Sequence, residues 1–336
     1  MIWRNLKRKE KKDFGKNLYQ MINNRKAIIF GINSYKLKVN ERIFLKKVKP
    51  WGIILFSRNL KTIKQSQNLT KSIRKVFYDD KYPILIDEEG GRVSRLNKFI
   101  DSSIFSGEFF GNLYKKDLNK FYLYSKVYVK QISYLLNTLG INLNTIPILD
   151  IKRNHTHSVI GNRAYSKNYK NVSKIGEHFI KLFHRNKIAT VMKHIPGHGL
   201  STVDSHKNTP FIRKNIKYLI KRDFFPFRCK KSIFSMTAHI IFEKIDPNNC
   251  VTHSKKMIEL IRKLIGFKSL VISDDISMKA LKFSIADNTK KAFTAGCNLV
   301  LHCNGNLNQM IKVAENSPIV NKFIIKKTEQ FKEIIR

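Results

Sequence analysis

Eight short apolar runs, most of them separated by amphipathic stretches of helix length, constrain the fold of this chain more than any other feature of its sequence. The runs are 27–31, 52–56, 83–86, 143–148, 189–192, 233–237, 269–272 and 299–301. They are rich in Ile, Leu, Val and Phe and bounded by polar, Gly or Pro positions, as buried strands are. Between them, residues 66–77, 126–138, 172–185, 255–264 and 287–295 place apolar side chains at the 3.6-residue period of a helix that buries one face. A strand–helix unit repeated eight times in 336 residues predicts an α/β fold, a (β/α)₈ TIM-type barrel in a single domain. The runner-up is a doubly wound open sheet. Its nucleotide-binding versions lose support because neither G-x-G-x-x-G nor G-x-x-x-x-G-K-[ST] follows the first run.

A barrel gathers the C-terminal ends of its strands on one rim, so the polar residues just past each run are expected to share a pocket. They are Asp87-Glu88-Glu89-Gly90-Gly91-Arg92, Asp150, Lys193-His194, His239 and Asp274-Asp275. Pro196, Gly197 and Gly199 interrupt any helical repeat, so Lys193 to Gly199 is expected to be an irregular loop after the run ending at Met192. Gly90-Gly91 is expected to form a tight turn. Carboxylates, histidines and basic donors around one cavity suit a neutral polyhydroxyl substrate and an acid-plus-nucleophile mechanism of the glycosidase kind.

Lys and Arg number 65 against 24 Asp and Glu, a formal net charge of +41. That excess runs along the whole chain together with abundant Ile, Asn and Phe, the pattern of a biased genome composition, and it does not oblige a nucleic-acid partner. The densest block, Arg4 to Lys12 with Lys16, Arg25 and Lys26, assigns residues 1–25 to a disordered basic extension and 26–336 to the barrel. No run of about 18 apolar residues occurs, and the N-terminus lacks the apolar core of a secretory signal, so neither membrane insertion nor export is expected. Cys229, Cys250, Cys297 and Cys303 show no C-x-x-C spacing, which suits reduced thiols in the cytoplasm. His194 and His198 imitate a zinc pair, but the intervening Pro-Gly breaks the helix that would align them, and no metal or cofactor is expected. His155 and His157 fall on a polar segment and are expected to be solvated.

Five ordered motifs carry a resemblance. Asp87-Glu88-Glu89-Gly90-Gly91-Arg92-Val93-x-Arg95, Gly161-Asn162-Arg163, Lys193-His194-x-Pro196-Gly197-His198-Gly199, Asp204-Ser205-His206 and Ser273-Asp274-Asp275-x-Ser277-Met278 resemble the signatures of glycoside hydrolase family 3 β-N-acetylglucosaminidases. The likeness covers about residues 26–305 and is greatest to the single-domain cytoplasmic branch that acts in peptidoglycan recycling.

The resemblance implies Asp274 as the nucleophile of a retaining mechanism, His206 as acid/base and Asp204 as the group that orients the His206 imidazole. It implies Asp87, Arg95, Arg163, Lys193 and His194 as the side chains that hold the N-acetylglucosamine ring. The expected activity is release of terminal β-linked N-acetylglucosamine from muropeptide fragments by a monomeric enzyme without a second domain. Three positions depart from the family's commoner residues: Glu88 for glutamine, Ile195 for phenylalanine, and Asn162 for an aspartate whose loss is expected to loosen Arg163. A phosphorylase is the alternative reaction, since a histidine acid/base is neutral after giving its proton and repels phosphate less than a carboxylate does. A polyanion-binding protein on a decayed barrel is the alternative of another class. Asp275 is expected to be a structural partner; His239 is either a hydrogen-bonded residue of the rim or one with catalytic duty.

Overall fold

The computed structural model describes residues 22–154, 156–203 and 208–336. Its eight barrel strands are β1 (Lys26–Gly31), β2 (Pro50–Leu55), β3 (Ile84–Ile86), β4 (Leu143–Asn144), β5 (Ala189–Ile195), β6 (Phe234–Thr237), β7 (Leu270–Asp275) and β8 (Leu299–His302). Each pairs in parallel with its neighbours in sequence, and β8 closes on β1. The helices are α1 (Val39–Val48), α2 (Ile63–Phe77), α3 (Gly107–Lys116), α4 (Leu118–Leu139), α5 (Tyr169–Arg185), α6 (Ile216–Lys221), α7 (Lys255–Leu260), α8 (Ile285–Ala295), α9 (Leu307–Glu315) and α10 (Lys322–Ile334). A two-stranded ribbon, Phe211–Ile212 with Ile241–Phe242, lies outside the barrel.

Side chains alternate across a strand, and here the alternation divides the apolar residues into two cores. Ala27 and Ile29 of β1, Leu85 of β3, Val191 of β5 and Ile272 of β7 belong to the cluster inside the barrel. Ile28, Phe30, Ile84, Ile86, Met192 and Val271, one position out of step, belong to the cluster beneath the helices. This two-sided burial explains why the strands read as continuous apolar runs.

Local chemistry sets the helix ends. Thr62, Ser106, Asp117, Asn168, Ser254, Ser284, Asn306 and Asn321 each accept a hydrogen bond from a backbone N–H of the following first turn. Gly140 ends α4 in the left-handed region at φ 76°, where a Cβ would be strained.

Three differences from the sequence expectations have local causes. β5 runs on through Lys193 and His194 to Ile195, because Lys193 keeps pairing with Met236 and Ile195 with Thr237; the expected loop starts later. Along this stretch the Lys193-His194 and Ile195-Pro196 peptides are cis. β4 is only two residues long, and the chain beyond it carries Pro147, which has no N–H for the ladder. Residues 22–25, assigned from sequence to the basic arm, pack into the barrel base: Ile22 is fully buried and Arg25 is 2% exposed. Arg25 and Lys332 both bind the buried Asp79 carboxylate, at 2.9 and 2.8 Å. Residues 1–21 of that arm lie outside the described residues. No described helix is long and apolar enough to cross a membrane.

Candidate active site

In six of the eight strands, continuing the inward-facing register two residues beyond the last inward apolar side chain leads from the core into a pocket. Leu85 is followed by Asp87, Leu143 by Thr145, Val191 by Lys193, Ile272 by Asp274, Ile54 by Phe56 and Leu301 by Cys303. All six second members line one cavity, with Ile54, Met236 and Leu301 from the core below and Arg163, His194 and His198 beside them. The same period-two rule thus gives an apolar plug and, one layer higher, a polar site.

The charges in this layer are interlocked. The Lys193 ammonium, 3% exposed, contacts the carboxylates of Asp87 and, at 2.7 Å, Glu89. It also donates to Thr145 Oγ1 at 2.9 Å, while Thr145 donates to Asp87 Oδ1 at 2.6 Å. Arg95 binds Asp87 Oδ2 at 2.9 Å. Arg163 forks onto both oxygens of Glu89, at 2.6 and 2.7 Å, and donates to the Val159 carbonyl at 2.9 Å. Burial alone would raise the Asp87 carboxyl, but Lys193 and Arg95 hold it well below the usual carboxylate range. Glu89 is also lowered, with Arg163 and Lys193 outweighing its burial. Burial would lower the Lys193 ammonium, yet the two carboxylates raise it. All three groups are therefore charged at neutral pH.

A second buried unit stands beside the first. Asp150, fully buried, accepts from His194 Nδ1 at 2.7 Å and from the His198 backbone N–H at 2.6 Å. Burial would raise its carboxyl, but His194 lowers it, so the acceptor-only carboxylate fixes the His194 proton on Nδ1. Burial pushes the His198 imidazole down to about 4, so His198 is neutral at physiological pH.

On the opposite side, half-buried Asp274 accepts the Asp275 backbone N–H at 2.8 Å, and its own N–H donates to Thr237 Oγ1 at 3.3 Å. Asp275 is occupied structurally: it accepts from the Ser277 hydroxyl at 2.8 Å and from the Cys303 N–H at 3.2 Å. His239, 1% exposed, hydrogen-bonds to Thr252 Oγ1 at 2.8 Å and to the Asp275 carbonyl at 3.0 Å. Asp275 thus has the structural partners expected of it, and His239 is hydrogen-bonded on both ring nitrogens.

Of the site residues named from sequence, Asp87, Arg163, Lys193, His194 and Asp274 line the pocket together. Arg95 stands behind Asp87, over the Phe56 ring at 5.6 Å, and is not part of the lining. Asp204 and His206, like His155, lie outside the described residues. Thr145 was missed; strand parity from Leu143 would have found it. Arg163 is not loosened by Asn162, because Glu89 and Val159 grip its guanidinium and the backbone beneath it is fixed by close packing. A Cβ on Gly107 would meet the Arg163 carbonyl at 2.0 Å.

The two adjacent glutamates have opposite surroundings. Glu89 faces the cations. Glu88 turns into its own loop, where it accepts from the Arg95 N–H at 2.6 Å, the Leu96 N–H at 3.0 Å and the Ser94 hydroxyl at 3.0 Å. Neither lines the pocket. Gly90 and Gly91, at φ 80° and 59°, make the tight turn that lets the chain double back for these contacts.

Residues 16–333 match the glycosyl hydrolase family 3 N-terminal domain. The chain is 30% identical over 305 residues to a β-hexosaminidase of Haemophilus influenzae, covering 87% of this chain and 85% of that protein. A β-hexosaminidase of Actinobacillus pleuropneumoniae serotype 5b is 32% identical over 289 residues, with 82% and 81% covered. Among solved structures, NagZ from Neisseria gonorrhoeae in complex with N-trifluoroacetyl-D-glucosamine superposes with a TM-score of 0.83 at 26% identity, over 92% of this chain and 91% of that one. A parallel eight-stranded barrel, a carboxylate-and-cation pocket on its C-terminal rim and these relatives agree: the chain belongs to glycoside hydrolase family 3, in its β-N-acetylglucosaminidase branch, and is a glycoside hydrolase.

Proposed function

We propose that this protein is a retaining exo-β-N-acetylglucosaminidase that removes terminal N-acetylglucosamine from muropeptide fragments in cytoplasmic peptidoglycan recycling. The observation that carries this reading is the half-buried Asp274 carboxylate in the same pocket as Asp87, Lys193, Arg163 and His194. Asp87 accepts from sugar hydroxyls, and Lys193 and Arg163 donate to them; His194, whose Nδ1–H is hydrogen-bonded to the Asp150 carboxylate, keeps Nε2 for the sugar. Asp274 attacks the anomeric carbon as the leaving oxygen takes a proton from His206, which Asp204 orients. Water, deprotonated by His206, then releases the sugar from Asp274. Retention follows from the two displacements. The roles of Asp204 and His206 rest on the Asp204-Ser205-His206 motif. The hexosaminidase relatives and the acylated glucosamine held by the solved neighbour support the sugar assignment.

The test is release of the phenol from an aryl β-N-acetylglucosaminide, with and without phosphate, by the wild type and Asp274→Asn. Turnover is expected to be independent of phosphate and to fall by several orders of magnitude in the variant. A fluorinated slow substrate should label Asp274 in peptide maps. Phosphate-dependent turnover, or label on another carboxylate, overturns the reading.

A further inference from the structure

The outward face of α4 is built the wrong way round for a helix on the surface of a barrel. Its buried side is ordinary: Phe121, Ser125, Tyr128, Val129, Ile132 and Leu136 face the core. The side turned farthest from the barrel should carry charge of both signs. Instead it presents Leu123, Val127 and Tyr134, which are 60, 51 and 72% exposed. At 100° per residue these three fall within about 40° of one another, a single stripe along the helix. Tyr122 and Tyr124, 50 and 43% exposed, flank its first half. Exposed Lys120 and Lys126 rim the stripe and exposed Lys130 stands within it; α4 contains no Asp or Glu, and its N-cap Asp117 lies 3.6 Å from the Lys120 ammonium.

The neighbouring helices extend the charge. α4 packs against α2, α3 and α5, and α3 carries Lys115 and Lys116 with one acid, Glu108, which pairs with Lys152. α2 adds exposed Lys64, Lys71 and Lys75 without any acid. α5 adds exposed Lys170, Lys174 and Lys181, and its Glu177, bound to Lys181, is the only acid in α2, α4 and α5.

We infer that this side of the barrel is a docking surface for an anionic lipid bilayer, with the stripe of α4 entering the interface and the surrounding lysines meeting the headgroups. Aliphatic and tyrosine side chains flanked by lysine are the composition that settles at a lipid interface, where the apolar part leaves water and the cations lower the surface potential. A second copy of the chain is disfavoured as the occupant, since α4 against α4 would bring Lys120, Lys126 and Lys130 of both copies together. Single-stranded nucleic acid would use the tyrosines and lysines but gains little from Leu123 and Val127. Because α4 runs down the side of the barrel, its contact leaves the pocket mouth on the rim open to soluble substrate.

The full chain is mixed with neutral phosphatidylcholine vesicles and with vesicles containing phosphatidylglycerol, and the bound fraction is read by co-sedimentation at low and high salt. Binding to the anionic vesicles alone, weakened by salt, is expected. Leu123→Ser/Val127→Ser/Tyr134→Ser should reduce the partition coefficient by roughly tenfold or more, and Lys120→Gln/Lys126→Gln/Lys130→Gln should remove most of its salt dependence. Both variants should melt like the wild type and keep its turnover of a soluble aryl substrate, so the outcome is independent of the sugar assignment. No binding to anionic vesicles, binding that neither variant weakens, self-association through the stripe in sedimentation, or binding of single-stranded RNA in place of vesicles overturns the inference.

Discussion

Lys193→Met is the sharpest probe of how the pocket is held together. The ammonium is 3% exposed and sits against two carboxylates, Asp87 and Glu89, that are themselves 18 and 2% exposed. Methionine nearly fills the same volume, so little packing is lost, but two buried negative charges then face each other across an apolar side chain. Among the described residues, the only cation Asp87 retains is Arg95, itself 29% exposed, beside the Thr145 hydroxyl, and Glu89 retains Arg163. Breaking a buried pair by removing one partner costs about 3–5 kcal/mol, and that loss is expected in urea unfolding followed by fluorescence at pH 7. The pH dependence gives an independent check. Asp87 and Glu89 have folded-state pKa values below the ordinary ones. Their ion pairing therefore contributes stability that is present above the unfolded pKa values of about 4 and is lost as pH falls through the depressed folded values. In the variant both carboxyls titrate higher, and once protonated they no longer need the missing cation. The gap between wild type and variant should narrow as the solution is taken from pH 7 to pH 4 and below. A loss under about 1 kcal/mol at pH 7, or a gap that stays constant on acidification, would refute the reasoning.

Glu88→Gln keeps an acceptor for the Arg95 and Leu96 N–H groups and removes a carboxyl whose pKa burial raises. A raised carboxyl costs stability as pH climbs through its folded pKa, so this variant should match or exceed the wild type in thermal melts at pH 7. Glu88→Ala strands both N–H groups and should lose about 2–4 kcal/mol together with kcat/KM, because Arg95 is no longer positioned on Asp87. Equal stability of the two variants would show that the carboxyl does not organise the loop. His206→Ala should impair poor leaving groups such as sugars far more than acidic phenols, which depart unprotonated, and Asp204→Asn should show a milder form of the same trend. Equal losses for every leaving group would remove the proton-donor role from His206.

The barrel was legible because buried parallel strands and one-sided helices leave periodic marks that survive without any knowledge of their neighbours. All eight strands appear where short apolar runs stand, and helices α2, α4, α5 and α8 contain the predicted stretches. α3 escaped because Gly107 and Gly111, poor helix formers, interrupt its pattern; a Cβ at Gly111 would meet the Tyr165 carbonyl at 1.5 Å, a contact invisible in sequence. The rim motifs likewise named Asp87, Arg163, Lys193, His194 and Asp274, which the fold gathers around one pocket. What each side chain does was decided by tertiary structure. Glu88 and Glu89 are adjacent and chemically alike, yet one closes a loop and the other anchors two cations. Arg25, Asp79 and Lys332 form one buried ion cluster although Asp79 and Lys332 are 253 residues apart. The apolar stripe of α4 looked in sequence like part of an ordinary amphipathic helix, and only the position of the barrel behind it shows that the stripe faces outward. Periodicity is a property of the local chain, whereas desolvation and charge pairing depend on which distant groups the fold brings within a few ångströms, and these determine whether a given carboxylate, lysine or leucine serves stability or the site.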